Sequence, residues 1–308
     1  MKVTVALAGG VGAAKLLRGL CRIVSPRNLL VIGNTGDDLE LYGLHISPDL
    51  DIVMYTLAGV VDESKGWGIK KDTYNVLQML RGLGFETWFR LGDQDLATHI
   101  IRTNLLTEGA TLSEVTAQLC ERFGVKTRLV PMTDQKVRTK IVSGHHIIDF
   151  QEYLVKNEMK NEVTDVRFQG AADARPAPGI IEALSQADRI IVCPSNPILS
   201  IGPMLAIPKI REEILQRKAE TVVISPIIAG KTLKGPADKI LLSMGYEASV
   251  LGVAKYYKGL VDRIIIDRAD ASQKARIEKL GLKVTVADTV MGCLEDSIEL
   301  AQVALNSS

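Results

Sequence analysis

Short apolar segments alternate with amphipathic ones along most of this chain. The run at 2–8 is apolar and β-branched, and after a glycine-rich stretch the apolar residues at 16, 17, 20 and 23 recur at helical spacing. Further apolar runs of strand length lie in the second half, at 189–193, 221–225, 262–266 and 283–286. This alternation predicts an α/β fold, with a doubly wound and mostly parallel Rossmann-like sheet between layers of helices.

The pattern changes between residues 126 and 170. Apolar and polar residues alternate there in short runs, at 128–131, 137–142, 146–150 and 163–168, which is typical of antiparallel strands. We therefore predict a Rossmann-like core formed by 1–125 and 171–308, with a smaller inserted segment of antiparallel strands at 126–170. The inserted strands could give two copies of the chain a surface on which to pair as a homodimer.

The first predicted strand runs into Gly-Gly-Val-Gly-Ala-Ala-Lys at residues 9–15. Glycines let the backbone approach a ligand closely, and the free N–H groups at the start of a helix favour a phosphate. Lys15 replaces the third glycine of the dinucleotide fingerprint, and the stretch also departs from the Walker pattern. Nicotinamide binding is therefore disfavoured, whereas a phosphate-binding turn and an ordinary tight turn both stay open.

Four aspartates follow the second predicted strand, which ends near residue 32. Asp37 and Asp38 lie in the loop after it, and Asp49 and Asp51 lie in the first turn of a helix that Ser47 is expected to cap. Ligands of parallel sheets bind at the carboxyl edge, where carboxylate oxygens can hold Mg²⁺ beside phosphates. Stabilisation of the helix start by Asp49 and Asp51 is the alternative.

Two further patterns admit both an ordinary and a functional interpretation. Trp67 lies between two glycines and could offer its face to a planar ring, although core packing explains a tryptophan equally well. Asp95, His99 and Arg102 share one face of a predicted helix, and ordinary pairing along that helix is the simpler explanation.

The composition argues against several classes of partner. With 37 basic and 36 acidic residues, the net charge of +1 gives no footprint for nucleic acid or an anionic membrane. No apolar run approaches the length that spans a bilayer. Four widely separated cysteines without a CxxC pair indicate reduced thiols. We expect a cytoplasmic protein that binds small molecules, with neither nucleic acid nor a membrane as partner.

Several blocks of sequence together resemble the 2-phospho-L-lactate transferase family. They are GGVGAAKLL at 9–17, NTGDD at 34–38, ISPDLD at 46–51, WGI at 67–69, LGDQDLATHIIR at 91–102, PSNP at 194–197 and SPII at 225–228. The resemblance extends in register over essentially the whole chain, and the longer blocks are far more specific than the glycine stretch alone.

The resemblance implies an enzyme of coenzyme F-420 biosynthesis. Such an enzyme moves a phospho-acid group from a guanosine diphosphate ester to the ribityl hydroxyl of the deazaflavin Fo, with Mg²⁺ as cofactor. It releases GMP and forms F-420-0 or its dehydro form. The transferred group could be 2-phospholactyl, phosphoenolpyruvyl or phosphoglyceryl, because no motif distinguishes these three donors.

The resemblance also implies roles for individual residues. Fo is expected to contact Asp51 and Arg90, and Trp67 is a further candidate for its ring. Asp51 and Asp49 are the expected catalytic residues, with Asp51 orienting or deprotonating the attacking hydroxyl. The expected Mg²⁺ ligands are Asp37, Asp38 and Asp49. The guanosine diphosphate (GDP) part is expected to lie on Gly9, Gly10, Gly12, Ala13, Lys15, Asn34, Ser195 and Asn196.

A related type of protein is the main alternative. Nucleotide-sugar-binding regulators of the gluconeogenesis-factor type are not catalysts, but they share the glycine stretch and the sheet. The Asp-Leu-Asp, Trp-Gly-Ile and Arg-Leu-Gly-Asp blocks favour the transferase over such a regulator.

Overall fold

The computed structural model describes residues 2–217, 219–233 and 235–306. The strands are β1 (Thr4–Ala8), β2 (Leu29–Gly33), β3 (Leu39–Leu41), β4 (Leu44–Ile46), β5 (Arg128–Pro131), β6 (Arg138–Ser143), β7 (His146–Asp149), β8 (Asp165–Gln169), β9 (Arg189–Val192), β10 (Glu220–Ile224), β11 (Ile227–Ile228), β12 (Lys231–Thr232), β13 (Arg263–Asp267) and β14 (Lys283–Ala287). The α-helices are α1 (Gly10–Ile23), α2 (Pro48–Leu57), α3 (Asn75–Gly82), α4 (Asp93–Thr107), α5 (Leu112–Arg122), α6 (Ile180–Ser185), α7 (Gly202–Leu205), α8 (Pro208–Gln216), α9 (Ala237–Ser243), α10 (Val250–Tyr257), α11 (Lys274–Glu278) and α12 (Leu294–Leu305).

Seven strands form one parallel sheet in the order β14-β13-β10-β9-β1-β2-β5. The chain builds outward from β1 through β2 to β5 on one side, and from β9 through β10 and β13 to β14 on the other. The order therefore reverses between β1 and β9, and a crevice opens beyond the carboxyl ends of strands at such a point. The predicted doubly wound fold is confirmed.

Both faces of this sheet are covered. Val5 and Leu7 of β1 belong to one buried apolar cluster, and Ala6 and Ala8 belong to a second cluster. Alternate residues of a strand point to opposite faces, so the continuous apolar runs reflect burial on both sides. All four cysteine thiols are free, as expected. Among the described residues, no helix has the length and apolar character needed to cross a membrane.

The inserted antiparallel strands begin later than the sequence pattern indicated. β6, β7 and β8 form a three-stranded antiparallel sheet in the order β7-β6-β8. β5 instead pairs in parallel with β2, from Leu30 opposite Arg128 to Gly33 opposite Pro131. The prediction that the 128–131 run is one of the antiparallel strands is therefore wrong. A four-residue apolar run carries no sign of its direction, which is decided here by the crossover through α4 and α5.

Helices α1 and α12 lie in close contact on one face of the sheet. A Cβ atom at Gly19 of α1 would lie 2.0 Å from the backbone carbonyl oxygen of Ser297 in α12. This distance is too short for any side chain, so the two helices can approach this closely only because residue 19 is glycine.

We expect Gly19→Ala to lower the free energy of unfolding by about 1 to 3 kcal/mol, because the added methyl group must push the two helices apart. Urea unfolding measures the effect. Gly82→Ala is the matched control, since Gly82 also lies in a helix but a Cβ atom there would meet nothing within 4 Å. Equal stability of Gly19→Ala and the wild-type protein would contradict the expected crowding.

Candidate active site

A cavity of about 520 Å³ opens at the carboxyl edge of the sheet, where β1 and β9 end. Its volume lies in the usual range for a small-molecule site. Of the predicted site residues, those that line it are Gly9, Gly10, Gly12, Asp37, Asp49, Asp51, Trp67, Arg90, Ser195 and Asn196. The fold therefore brings together residues that are far apart in the sequence.

The glycine turn packs against the protein itself as well as facing the cavity. A Cβ atom at Gly9 would lie 2.6 Å from Ser200 Cβ and 2.7 Å from Asp49 Oδ2. One at Gly12 would lie 2.3 Å from the carbonyl oxygen of Pro194. This stretch is therefore a tight turn between β1 and α1 that also forms part of the cavity wall, and phosphate binding by it stays a prediction.

Ser195 and Asn196 face this turn from the loop after β9. The Gly9 N–H donates to Ser195 Oγ at 3.3 Å. Asn196 Oδ1 accepts from the N–H groups of Ile198 and Leu199, both at 3.0 Å. Its amide nitrogen Nδ2 is buried and has no hydrogen-bond partner among the described residues. This amide is a donor available to an anionic group in the cavity.

Three predicted nucleotide contacts, Ala13, Lys15 and Asn34, are not among the residues that line the cavity. Ala13 is fully buried in the apolar cluster under α1. Lys15 is exposed, and its ammonium group donates to the carbonyl oxygen of Met291 at 2.8 Å. The structure thus gives Lys15 a contact between α1 and the segment before α12, outside the cavity.

Asp37 and Asp49 are the buried carboxylates that face the cavity without a basic partner. Burial, with added repulsion from Asp38, raises the pKa of Asp49 to about 6, although Asn34 Nδ2 donates to Asp49 Oδ2 at 2.9 Å. Burial, followed by the charge of Asp49, raises the pKa of Asp37 well above its usual range. Asp37 Oδ1 has no hydrogen-bond partner within the described residues. Asn34 itself reaches the cavity only through Asp49.

Asp38 is engaged elsewhere. Its Oδ2 atom accepts a hydrogen bond from Ser47 Oγ at 3.0 Å and lies 3.0 Å from His45 Nε2. Ser47 occupies the N-cap position of α2, but its side chain makes no capping hydrogen bond. The expectation that Ser47 caps this helix is therefore wrong, because its hydroxyl group donates to Asp38. In the described ranges, no three metal-binding side chains converge on one point.

Asp51 has a basic partner that the spacing did not reveal. Arg102 of α4 reaches α2, where its Nη1 donates to Asp51 Oδ2 at 3.0 Å and its Nη2 donates to Asp51 Oδ1. Asp95 and His99, from the same face of α4, line the cavity. The interpretation of these three residues as pairing only along their helix is incomplete, because Arg102 joins two helices.

Aromatic rings and cations lie together around Trp67 and Arg90, which both line the cavity. Lys65 Nζ lies 5.7 Å from the ring centre of Trp67 and 5.4 Å from that of Tyr74. The guanidinium carbon of Arg90 lies 5.0 Å from the Tyr74 ring centre. Because Tyr74 contacts both cations, it helps to hold Arg90 where Arg90 lines the cavity.

The inserted segment supplies one wall that the sequence did not predict. Phe150, Gln151, Leu154, Val155 and Met159 line the cavity, around a short helical turn that follows β7. Only Phe150 lies in a run that the sequence pattern assigns to a strand, and no local signal marks any of the five as a cavity residue.

Comparison with known proteins identifies the family. The sequence model of one family, described as 2-phospho-L-lactate transferase CofD, matches residues 4–298. The chain belongs to the 2-phospho-L-lactate transferase family. This membership confirms the family resemblance and makes the chain a member of a transferase family.

Relatives named phosphoenolpyruvate transferase and relatives named 2-phospho-L-lactate transferase are similar to this chain at comparable identity. A phosphoenolpyruvate transferase from Kitasatospora aureofaciens is 43% identical over 309 residues, covering 98% of this chain and 96% of the relative. A 2-phospho-L-lactate transferase from Methanosarcina mazei is 38% identical over 300 residues, with 97% and 98% covered. Among solved structures, a UPF0052 family protein from Bacillus halodurans has a TM-score of 0.65 at 16% identity, covering 99% of both chains. That likeness shows the fold alone.

We expect Asp49→Asn to stabilise this transferase at pH 7 in metal-free buffer by roughly 1 to 3 kcal/mol. A carboxyl group whose pKa is raised by folding opposes folding once it ionises, between its unfolded pKa and about 6. The added stability of Asp49→Asn over the wild-type protein should therefore disappear as the pH falls from 7 to 4. Urea unfolding at several pH values measures this change.

Asp93→Asn is the control, because its expected change in the free energy of unfolding has the opposite sign. Hydrogen bonds from Thr73, Val76 and Asn75 lower the pKa of Asp93 to about 2, so its ionised form stabilises the fold above pH 4. The Asp93 variant should be less stable than the wild-type protein at pH 7. A loss of stability in both variants would show that Asp49 is not an uncompensated charge.

Proposed function

We propose that this protein transfers a phospho-acid group from a guanosine diphosphate ester to the ribityl hydroxyl of Fo, releasing GMP and forming F-420-0 or its dehydro form. The observation that carries the proposal is one cavity in a member of this family. It is lined both by the glycine turn and the loop after β9 and by Trp67 and Arg90. A transfer between two bound molecules requires such an arrangement, with both substrates held side by side.

The donor's diphosphate fits the end formed by the glycine turn. Backbone N–H groups at the start of α1 and the positive end of the helix dipole favour phosphate oxygens. The unpartnered Nδ2 of Asn196 adds a side-chain donor on the opposite wall. Gly9, Gly10, Gly12, Ser195 and Asn196 are therefore the contacts that we propose, whereas Ala13, Lys15 and Asn34 act at most through the packing of these residues.

The carboxylates that line the cavity fit a magnesium ion. Asp37 and Asp49 are hard oxygen donors, and burial without a cation raises the pKa values of both. Mg²⁺ is usually held by one or two carboxylates together with phosphate oxygens and water, so three converging side chains are not required. We propose Asp37 and Asp49 as the ligands. Asp38 is the weaker candidate because Ser47 and His45 already occupy its Oδ2.

The acceptor fits the part of the cavity around Trp67. Trp67 and the apolar wall from the inserted segment offer surfaces to a planar ring, and Asp51 lines the same cavity. The hydroxyl oxygen of the acceptor forms a bond to the phosphorus that carries the acid, the bond from this phosphorus to the GMP oxygen breaks, and the hydroxyl proton passes to the Asp51 carboxylate and from there to solvent. Catalysis of such a reaction depends mainly on alignment and on neutralising oxygen charge, which bound Mg²⁺ would assist.

The direct test is product formation. We expect the purified protein, given Fo, Mg²⁺ and a mixture of phospholactyl, phosphoenolpyruvyl and phosphoglyceryl guanosine diphosphate esters, to release GMP and form one predominant phosphodiester by mass spectrometry. Its mass identifies the donor acid. Absence of any product, together with binding of a UDP-sugar but not of fluorescent Fo, would instead support a regulator of the gluconeogenesis-factor type.

We expect Asp51→Asn to lower turnover by about 100-fold or more while Fo fluorescence titration shows nearly unchanged binding, because the attacking hydroxyl loses its charged acceptor. Asp149→Asn is a matched control, since Asp149 is an exposed aspartate on β7 that does not line the cavity. Near-normal turnover of Asp51→Asn with normal Fo binding would contradict the proposed role of Asp51.

Homodimer formation through the inserted strands and a cytoplasmic location both stay predictions from the sequence.

A further inference from the structure

Arg102 is almost completely buried beside the cavity, and the reaction described above does not use it. It is 1% exposed, as is His99, and both lie on the buried face of α4, from which Arg102 reaches Asp51 of α2. A permanently charged guanidinium group is rarely buried this deeply unless its partners require it. Its contacts therefore indicate what the charge does here.

The hydrogen bonds of Arg102 determine where the proton of His99 lies. Arg102 Nη1 is 3.2 Å from His99 Nδ1. A guanidinium group can only donate, so Nδ1 must accept and the ring proton must be on Nε2. This contact leaves Nε2 as the ring nitrogen of His99 that can donate to a bound molecule.

The same guanidinium group fixes Asp51. Its two terminal nitrogens donate to the two carboxylate oxygens, which is the paired geometry that holds a carboxylate in one orientation. Each carboxylate oxygen keeps a second lone pair, and Asp51 lines the cavity. The remaining acceptor sites of Asp51 are therefore available to a bound molecule.

His99 Nε2 is the complementary group. It lies 3.3 Å from Asp95 Oδ1 but makes no aligned hydrogen bond to any described residue. That Asp95 oxygen already accepts from the Tyr55 hydroxyl at 2.8 Å. His99 also lines the cavity, so a buried donor with no aligned partner stands beside a fixed acceptor.

We propose that Arg102 is a positioning residue that presents the Asp51 carboxylate and the His99 Nε2–H as a matched pair for the hydroxyl-bearing chain of the acceptor. A hydroxyl group both donates and accepts, so one hydroxyl of the chain can donate to the carboxylate while a neighbouring hydroxyl accepts from the imidazole. The inference rests on the proposed function because it assigns the polyol part of the acceptor to these residues. Asp51 and His99 contact the substrate, whereas Arg102 acts only through them.

Arg102→Lys tests this role, because lysine keeps the charge but cannot donate to Asp51 and His99 with the same fork. We expect kcat to fall by about 10- to 100-fold, with GDP affinity changed by less than about twofold. Arg263→Lys is the matched control. Arg263 is also 1% exposed, but it holds the carbonyl groups at the end of α12, away from the cavity. Equal losses of kcat in the two variants would overturn the proposal.

A double-mutant cycle separates positioning from general destabilisation. If Arg102 acts through Asp51, Asp51→Asn combined with Arg102→Lys should have about the same kcat as the slower single variant. If the loss of kcat in the double variant instead equals the product of the two single losses, Arg102 does not act through Asp51.

Nitrogen NMR of ¹⁵N-histidine-labelled protein provides a measurement that does not depend on turnover. We expect His99 as the neutral Nε2–H tautomer in the wild-type protein, a shift of its Nε2 signal when Fo is added, and a mixture of tautomers in Arg102→Lys. A proton on Nδ1 in the wild-type protein would overturn the arrangement whatever the substrate. Absence of product from the wild-type protein with every donor would overturn only the proposed function.

Discussion

The turn from β1 into α1 must pass the loop after β9 with no side chain between them. Gly9 approaches Ser200 and Asp49, and Gly12 approaches the carbonyl group of Pro194, at distances that exclude a Cβ atom. This contact joins the two halves of the sheet where their strand order reverses. The crevice of the doubly wound fold is thereby narrowed to a defined cavity, and the start of α1 is placed in its wall. The positions of the other site residues depend on this approach.

Charge is distributed unequally within that cavity. Asp51 has a buried guanidinium partner, and Asp38 is held by a hydroxyl and an imidazole group. Asp37 and Asp49 have no cation, and burial raises the pKa values of both. Two uncompensated carboxylates make the ligand-free protein less stable than its packing would allow, which is a common cost of a binding site. A divalent cation in this cavity would therefore be bound most favourably beside these two carboxylates.

The sheet alone does not decide the chemistry. The Bacillus halodurans protein shares the fold over 99% of both chains at 16% identity, so the architecture can be formed by very different sequences. Function depends on the side chains that the carboxyl edge presents. In this chain they include an aromatic and cationic end, at Trp67 and Arg90, and an apolar wall from the inserted segment. These parts surround the cavity on sides that the parallel sheet does not reach.

The sequence by itself determined the order of strands and helices, because a sheet buried on both faces needs continuous apolar runs and its helices need apolar stripes. Its longer blocks also identified the family, and ten of the predicted site residues line the cavity. Only the tertiary structure decided the direction of β5, the partner of Ser47 and the contact of Lys15 outside the cavity. Spacing showed that Arg102 shares a face with His99, but not that this face meets Asp51. Local sequence sets the periodicity of the backbone, whereas a partner 51 positions away is set by how α2 and α4 pack.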